Sequence, residues 1–145
     1  GPQAMKMAID RAEKYGIGAI TVTNGAHFGA AAYHASMAIE HDMIGMAMTT
    51  GSLKLLPTNG AEPKVGLNPI AYAVPTKDEP PFIFDATMSS VAGNKIGLAI
   101  RLGVNVYPGW ISEEDGTPIM EERAVPENWN MLPLGGTREI GSHKS

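Results

Sequence analysis

The stretch VGLNPIAYAVPTKDEPPFIFD, residues 65–85, decides the fold class of this sequence. It holds two apolar runs, 65–74 and 81–85, which are rich in the β-branched and aromatic residues typical of strands. Asn68-Pro69 interrupts the first run, and prolines and charged residues separate the two runs, which is the composition of a turn. Strands joined by so short a turn favour antiparallel pairing.

The residues before this stretch predict a helix, a strand, a second helix and a second strand. Residues 2–15 have apolar positions at helical spacing, begin with a proline suited to the first helical position and stop at Gly16. Residues 17–23 are apolar and β-branched, which predicts a buried strand. An alanine-rich helix over 29–40 and a strand over 43–50 follow.

The residues after this stretch predict a helix over 89–102 and then a region rich in loops, with one or two short strands. Helices and strands therefore mix without the strict alternation of a doubly wound sheet. This order favours an α+β fold with a mixed, mostly antiparallel sheet. The length of 145 residues is that of one ordinary domain.

Composition excludes several classes of function. The formal net charge is −4, with 11 basic and 15 acidic residues, and without a basic run the footprint of a nucleic-acid-binding protein is missing. The chain has no cysteine, which excludes disulfides, thiolate metal sites and cysteine nucleophiles. No apolar run reaches the ~20 residues of a membrane helix, and the start is not a signal peptide. We expect a cytoplasmic protein that binds neither nucleic acid nor membrane.

The segment 23–29, Thr-Asn-Gly-Ala-His-Phe-Gly, is the first candidate site. It lies between a predicted strand and a predicted helix, where loops commonly expose reactive groups. The imidazole of His27 is suited to proton transfer near neutral pH. The alternative is a histidine that merely hydrogen-bonds at the start of a helix. His34 and His41 are interpreted as a surface or interface residue and as a residue near a helix C-terminus.

Asp85 is the second candidate, because it ends a predicted strand. A carboxylate there can accept hydrogen bonds from a ribose or a substrate amide. The alternative is capping of the following helix by Asp85, Thr87 or Ser89. No histidine pair has the spacing of a zinc protease, so we expect no metal site. The chain also has neither a phosphate-binding loop, nor a Rossmann glycine fingerprint, nor the nucleophile elbow of a hydrolase.

Several motifs together resemble the type 2 malate/L-lactate dehydrogenase family, which includes sulfolactate and ureidoglycolate dehydrogenases. They occur in the family's order and spacing along essentially the whole chain. These motifs are AHFGAA at 26–31, GLNPIAYAVP at 66–75, FDATMS at 84–89, MLPLGG at 131–136 and SHK at 142–144.

The resemblance implies a fold, a cofactor and an activity. Residues 1–145 would be a fragment covering the NAD(P)-binding domain, with a non-Rossmann fold, of a longer homodimeric enzyme. That enzyme would interconvert a 2-hydroxy acid of the malate or lactate type and its 2-oxo acid. The resemblance also implies that the groups holding the substrate carboxylate lie outside this segment, so we expect the segment alone to be inactive. The alternative is a dinucleotide-binding module without turnover.

The resemblance also implies roles for individual residues. His27 matches the family's proposed acid/base, and the cofactor is NAD or NADP. Gly51 stands where many family members have serine, with Ser52 beside it. The residues that match cofactor contacts are Gly51, Ser52, Asp85, Ala86, Thr87, His143 and Lys144.

Overall fold

The structure is a computed structural model that describes residues 1–137 and residue 140. Its helical elements are α1 (Pro2–Tyr15), α2 (Ala31–Ser36), a 3-10 turn (Ile39–His41) and α3 (Gly93–Leu102). Its strands are β1 (Gly45–Met48), β2 (Ile70–Val74), β3 (Phe82–Ala86), β4 (Ile111–Ser112) and β5 (Asn130–Met131).

The chain divides into two compact units. Unit 1 comprises Gly1–Thr49 and Pro69–Ala86, and unit 2 comprises Thr50–Asn68 and the chain from Thr87 onward. The α+β prediction is confirmed, and every pairing between the described strands is antiparallel. That the whole chain forms one dinucleotide-binding domain stays a prediction.

Unit 1 is built on a three-stranded sheet in the order β1-β2-β3. The predicted antiparallel pair is present, with Tyr72 opposite Phe84. Strand β2 is shorter than the predicted run over 65–74, because Asn68 has a φ of 39° and Pro69 has no N–H to donate to a neighbouring strand. Left-handed backbone and a missing donor both end a strand.

Helix α2 covers one face of this sheet through small residues. Ala35, Ala71 and Ala73 are fully buried there, which lets helix and sheet approach closely. At Gly45, a Cβ atom would lie 1.9 Å from the carbonyl oxygen of Ala35. The opposite face of the sheet leaves larger side chains exposed, among them Met48 and Phe82.

Unit 2 has its own apolar core. Helix α3 contributes Ile96 and Ala99, which are three residues apart and therefore lie on one face. β4 and β5 form a short antiparallel pair. The buried members of the core are Leu55, Val91, Ile96, Ala99, Val106, Ile111, Ile119 and Met131.

Helix α1 has the predicted bounds, and Gly16 ends it in the left-handed region at φ 81°. The predicted strand over 17–23 is wrong, because no described strand pairs with these residues. Ile17 and Val22 are 79% and 60% exposed, so the burial that stabilises such a strand is missing too. The second and third helices are shorter than predicted. No helix in the described part of the chain is long and apolar enough to cross a membrane.

Candidate active site

His27 lies in unit 1, four residues before α2, and its side chain is exposed. Its Nδ1 atom accepts a hydrogen bond from the backbone N–H of Gly29 at 3.0 Å. A neutral imidazole that accepts at one nitrogen carries its proton on the other. The contact therefore favours the tautomer protonated at Nε2. That Nε2 atom has no hydrogen-bond partner among residues 1–137 and 140, so it is open to a ligand.

Gly29 is needed for this turn because of its backbone conformation. Its φ is +79°, and a Cβ atom there would meet nothing within 4 Å. Space is therefore not the constraint; the left-handed φ is, and glycine adopts it without penalty. The conformation aims the Gly29 N–H at the ring two residues earlier.

His34 is buried, so its interpretation as a surface or interface residue is wrong. Only 8% of its surface is exposed. Its Nε2 atom lies 3.1 Å from the carbonyl oxygen of Phe28, and the two rings are 4.6 Å apart. It packs inward because Phe28 and Gly1 close over it. The sequence showed no sign of this, because both contacts depend on how the turn folds back on α2.

Asp85 caps a helix, but not the one that follows it. Its Oδ2 atom accepts a hydrogen bond from the N–H of Ala32 at 2.7 Å, in the first turn of α2. The residue before α2, Ala30, has no side chain that could cap it. The capping interpretation for α3 is wrong, because that helix starts after Ala92 without a side-chain cap. The Oδ1 atom of Asp85 has no partner in the described part of the chain.

Ala86 ends β3 opposite Ile70, and Thr87 begins the next segment of unit 2. The Thr87 hydroxyl donates to the carbonyl oxygen of Leu67 at 2.9 Å and accepts from the N–H of Ser89 at 3.2 Å. A hydroxyl has one proton to donate, so this proton is already used. Thr87 therefore holds two loops of unit 2 together.

Gly51 and Ser52 also lie in unit 2, in the segment Thr50–Asn68 that Thr87 contacts at Leu67. The Gly51 N–H donates to the side-chain oxygen of Asn68 at 3.2 Å. A Cβ atom at Gly66 would lie 2.5 Å from the carbonyl oxygen of Gly51, so the absence of a side chain at Gly66 lets the two backbone segments approach closely. The Ser52 side chain is exposed, and no described residue hydrogen-bonds its hydroxyl.

The predicted site residues thus fall into two groups. In unit 1, the contacts of His27 and Asp85 both end on the segment from Gly29 to Ala32. In unit 2, Thr87 bonds Leu67, and the next residue, Asn68, bonds the loop that carries Gly51 and Ser52. His143 and Lys144 lie outside the described residues. No cluster of three or more potential metal ligands occurs in the part of the chain that the structure describes.

This geometry defines a class of site: an exposed imidazole on a fixed turn, with a carboxylate oxygen free on the same unit. Such a site can exchange a proton with a small polar ligand. Residues 1–145 match the family model for malate/L-lactate dehydrogenase. The chain belongs to this family of oxidoreductases.

Individual relatives agree with this assignment. The chain is 41% identical to a malate dehydrogenase of Pyrococcus abyssi over 145 residues, which are 99% of this chain and 40% of that protein. It is 33% identical to an L-sulfolactate dehydrogenase of Methanocaldococcus jannaschii over 141 residues, 97% of this chain and 40% of that protein. The crystal structure of a malate dehydrogenase from Entamoeba histolytica superposes with a TM-score of 0.83 at 34% identity, covering 99% of this chain and 41% of that one.

The chain therefore spans about 40% of the length of the relatives it matches. The fold similarity extends over nearly all of this chain.

Proposed function

We propose that the complete protein is an NAD(P)-dependent oxidoreductase that interconverts a 2-hydroxy acid of the malate or lactate type and its 2-oxo acid. His27 is its acid/base. The observation that carries this proposal is the exposed side chain of His27, whose Nε2 atom is left free by the Gly29 contact at Nδ1 in a chain of a dehydrogenase family.

The described residues fit a pyridine nucleotide in part. When bound, the nicotinamide supplies the acceptor or donor of hydride. The free Oδ1 atom of Asp85 suits a ribose hydroxyl or a carboxamide N–H, both of which are hydrogen-bond donors. The exposed Ser52 hydroxyl can donate to a phosphate oxygen. The Thr87 hydroxyl has no proton left to donate to a cofactor, because it donates to Leu67 and also accepts from Ser89, so we propose that Thr87 shapes its loop and contacts the cofactor only as an acceptor. Ala86 and Gly51 can hydrogen-bond a cofactor only through their backbones.

In the reducing direction, the Nε2–H of His27 donates a hydrogen bond to the keto oxygen of the substrate. The oxygen gains negative charge as hydride arrives at the neighbouring carbon, and this hydrogen bond then strengthens. Delivery of a proton requires a ring protonated at both nitrogens, because a neutral ring that gave up its only proton would become an anion.

A doubly protonated ring has an N–H at Nδ1, which would face the N–H of Gly29. Two donors repel, so the contact between Gly29 and His27 opens during proton transfer. In the oxidising direction the same opening is needed, since Nε2 can take the hydroxyl proton only when Nδ1 holds the ring proton. The form in which Gly29 contacts Nδ1 therefore binds the 2-oxo acid, and once this contact opens Nδ1 takes a proton from solvent before Nε2 delivers its own.

We propose a second acidic group on the substrate, as in malate, since relatives are named malate and sulfolactate dehydrogenases. The sequence motif LPLGG at 132–136, with Thr137-Arg138-Glu139 after it, resembles malate-type members and supports the same choice. A homodimer and a cytoplasmic location are part of this proposal.

The test is a substrate panel on the complete polypeptide with NAD and NADP, for wild type and His27→Ala. General acid–base catalysis contributes ~10²–10⁴-fold, so we expect kcat/KM to fall by that factor. The affinity for NADH, followed by its fluorescence, should stay unchanged. His41→Ala is the matched control, because His41 is exposed and contacts Glu13.

Two results would contradict the proposal. Unchanged turnover in His27→Ala would remove this residue from the mechanism. Tight NADH binding by the complete wild-type protein without turnover of any 2-hydroxy acid would favour the alternative, a dinucleotide-binding module without chemistry.

A further inference from the structure

One peptide group lies between two histidines in unit 1. The carbonyl of Phe28 and the N–H of Gly29 belong to the same planar peptide bond, and in a trans peptide they point in opposite directions. The carbonyl oxygen faces Nε2 of His34 at 3.1 Å. The N–H faces Nδ1 of His27 at 3.0 Å.

The chemistry of the peptide group fixes which atom is the donor in each of these two hydrogen bonds. A carbonyl oxygen only accepts, so the proton between His34 and Phe28 belongs to Nε2 of His34. The Gly29 N–H only donates, so Nδ1 of His27 accepts. Both neutral rings therefore carry their proton on Nε2. Hydrogen bonds at the two ends of one amide polarise each other and strengthen together.

His34 contacts the ring of Phe28 as well as its carbonyl oxygen. The rings of His34 and Phe28 are 4.6 Å apart, and His34 is only 8% exposed. Its Nδ1 atom is buried without a partner among the described residues. An unpaired buried nitrogen is unfavourable, and an apolar side chain of similar size would avoid it. The ring is therefore poorly explained by space filling alone, whereas its Nε2–H has a definite role at Phe28.

We propose that His34 is a positioning residue for His27. It fixes the plane of the peptide between Phe28 and Gly29, and that plane sets the direction and tautomer of the His27 ring. His34 thereby keeps the Nε2–H of His27 ready to receive the 2-oxo acid. This last step rests on the proposed function of His27, but the structural coupling between the two histidines does not.

The test compares His34→Leu, His34→Phe and His34→Gln in the complete polypeptide. Leu and Phe fill space without donating, whereas the Gln amide can still donate to the Phe28 carbonyl. Nitrogen-15 NMR of the imidazoles reports the tautomers, and hydrogen exchange reports protection of the Gly29 amide. We expect the Gly29 amide to exchange roughly fivefold faster in the Leu and Phe variants, the factor for one hydrogen bond.

The same variants should show a mixture of His27 tautomers, and the Gln variant should restore both readouts. KM for the 2-oxo acid should rise roughly fivefold in the Leu and Phe variants, with KM for the cofactor unchanged. His41→Leu is the matched control and should change none of these quantities.

Unchanged Gly29 exchange and unchanged His27 tautomers in a folded Leu or Phe variant would overturn the inference. If neither variant folds, the wild-type spectrum decides, because His34 protonated at Nδ1 is incompatible with the contact at Phe28. Failure of the proposed function looks different: His27→Ala would then keep its turnover, whatever the coupling between the histidines.

Discussion

Replacing Asp85 with alanine removes the acceptor that caps α2. The Oδ2 atom lies 2.7 Å from the N–H of Ala32, and α2 has no other side-chain cap at its start. Loss of such a cap costs about 1 kcal/mol, within a range of roughly 0.5–2 kcal/mol. Asp85 is exposed, so water screens its charge and the middle of this range applies.

The loss should be local and measurable. A change of about 1 kcal/mol corresponds to roughly a fivefold change in an equilibrium, so the Ala32 amide should exchange about fivefold faster in Asp85→Ala. Urea denaturation of the complete protein without cofactor should show the same loss in free energy of unfolding. Asp85→Asn is the control, since its amide oxygen still accepts and only the charge is lost, worth ~0.3–1 kcal/mol at a helix start.

Equal protection of the Ala32 amide in wild type and Asp85→Ala would refute this reasoning. Equal loss in the Asn and Ala variants would show that the charge matters and the hydrogen bond does not.

Four further predictions concern local structure. Gly16→Ala should lower the free energy of unfolding by about 1–2 kcal/mol, because φ is 81° there. Gly97→Ala should raise it by about 0.5–1 kcal/mol, because Gly97 lies inside α3 and a Cβ atom added there would meet nothing within 4 Å. Chemical denaturation of both variants checks the two signs. Gly45→Ala should cost about 1–3 kcal/mol or more, since its Cβ would overlap a carbonyl of α2, and an unchanged melting temperature would contradict that packing. The backbone N–H of Thr117 lowers the pKa of Asp115, so this turn should be fully stabilised above the ordinary carboxylate pKa, weaken as pH falls below it and lose the contribution once pH has passed the lowered pKa, as carboxyl NMR shifts would report.

The sequence predicts those helices and strands whose bounds are set by residues close together in the chain. Helix α1 is confirmed because its periodicity and Gly16 act within a few residues. The antiparallel pair of β2 and β3 is confirmed because one short turn joins two apolar runs.

The failures share a physical cause, which is dependence on distant partners. Residues 17–23 have the composition of a strand, but a strand needs a neighbour to accept its hydrogen bonds, and composition does not reveal one. The cap on α2 joins residues 53 positions apart. The burial of His34 depends on Gly1, 33 positions earlier, as well as on the nearby turn at Phe28 and Gly29. The roles of His27 and the cofactor contacts came from family motifs and stay proposals.

The path of the chain through its two units has a practical consequence. The backbone passes from one unit to the other after Thr49, after Asn68 and after Ala86. Neither unit is one continuous stretch, so no pair of cleavage sites releases either of them whole. Expressing one alone would require new termini and an artificial linker, and random truncation of this protein should seldom yield a complete folded unit.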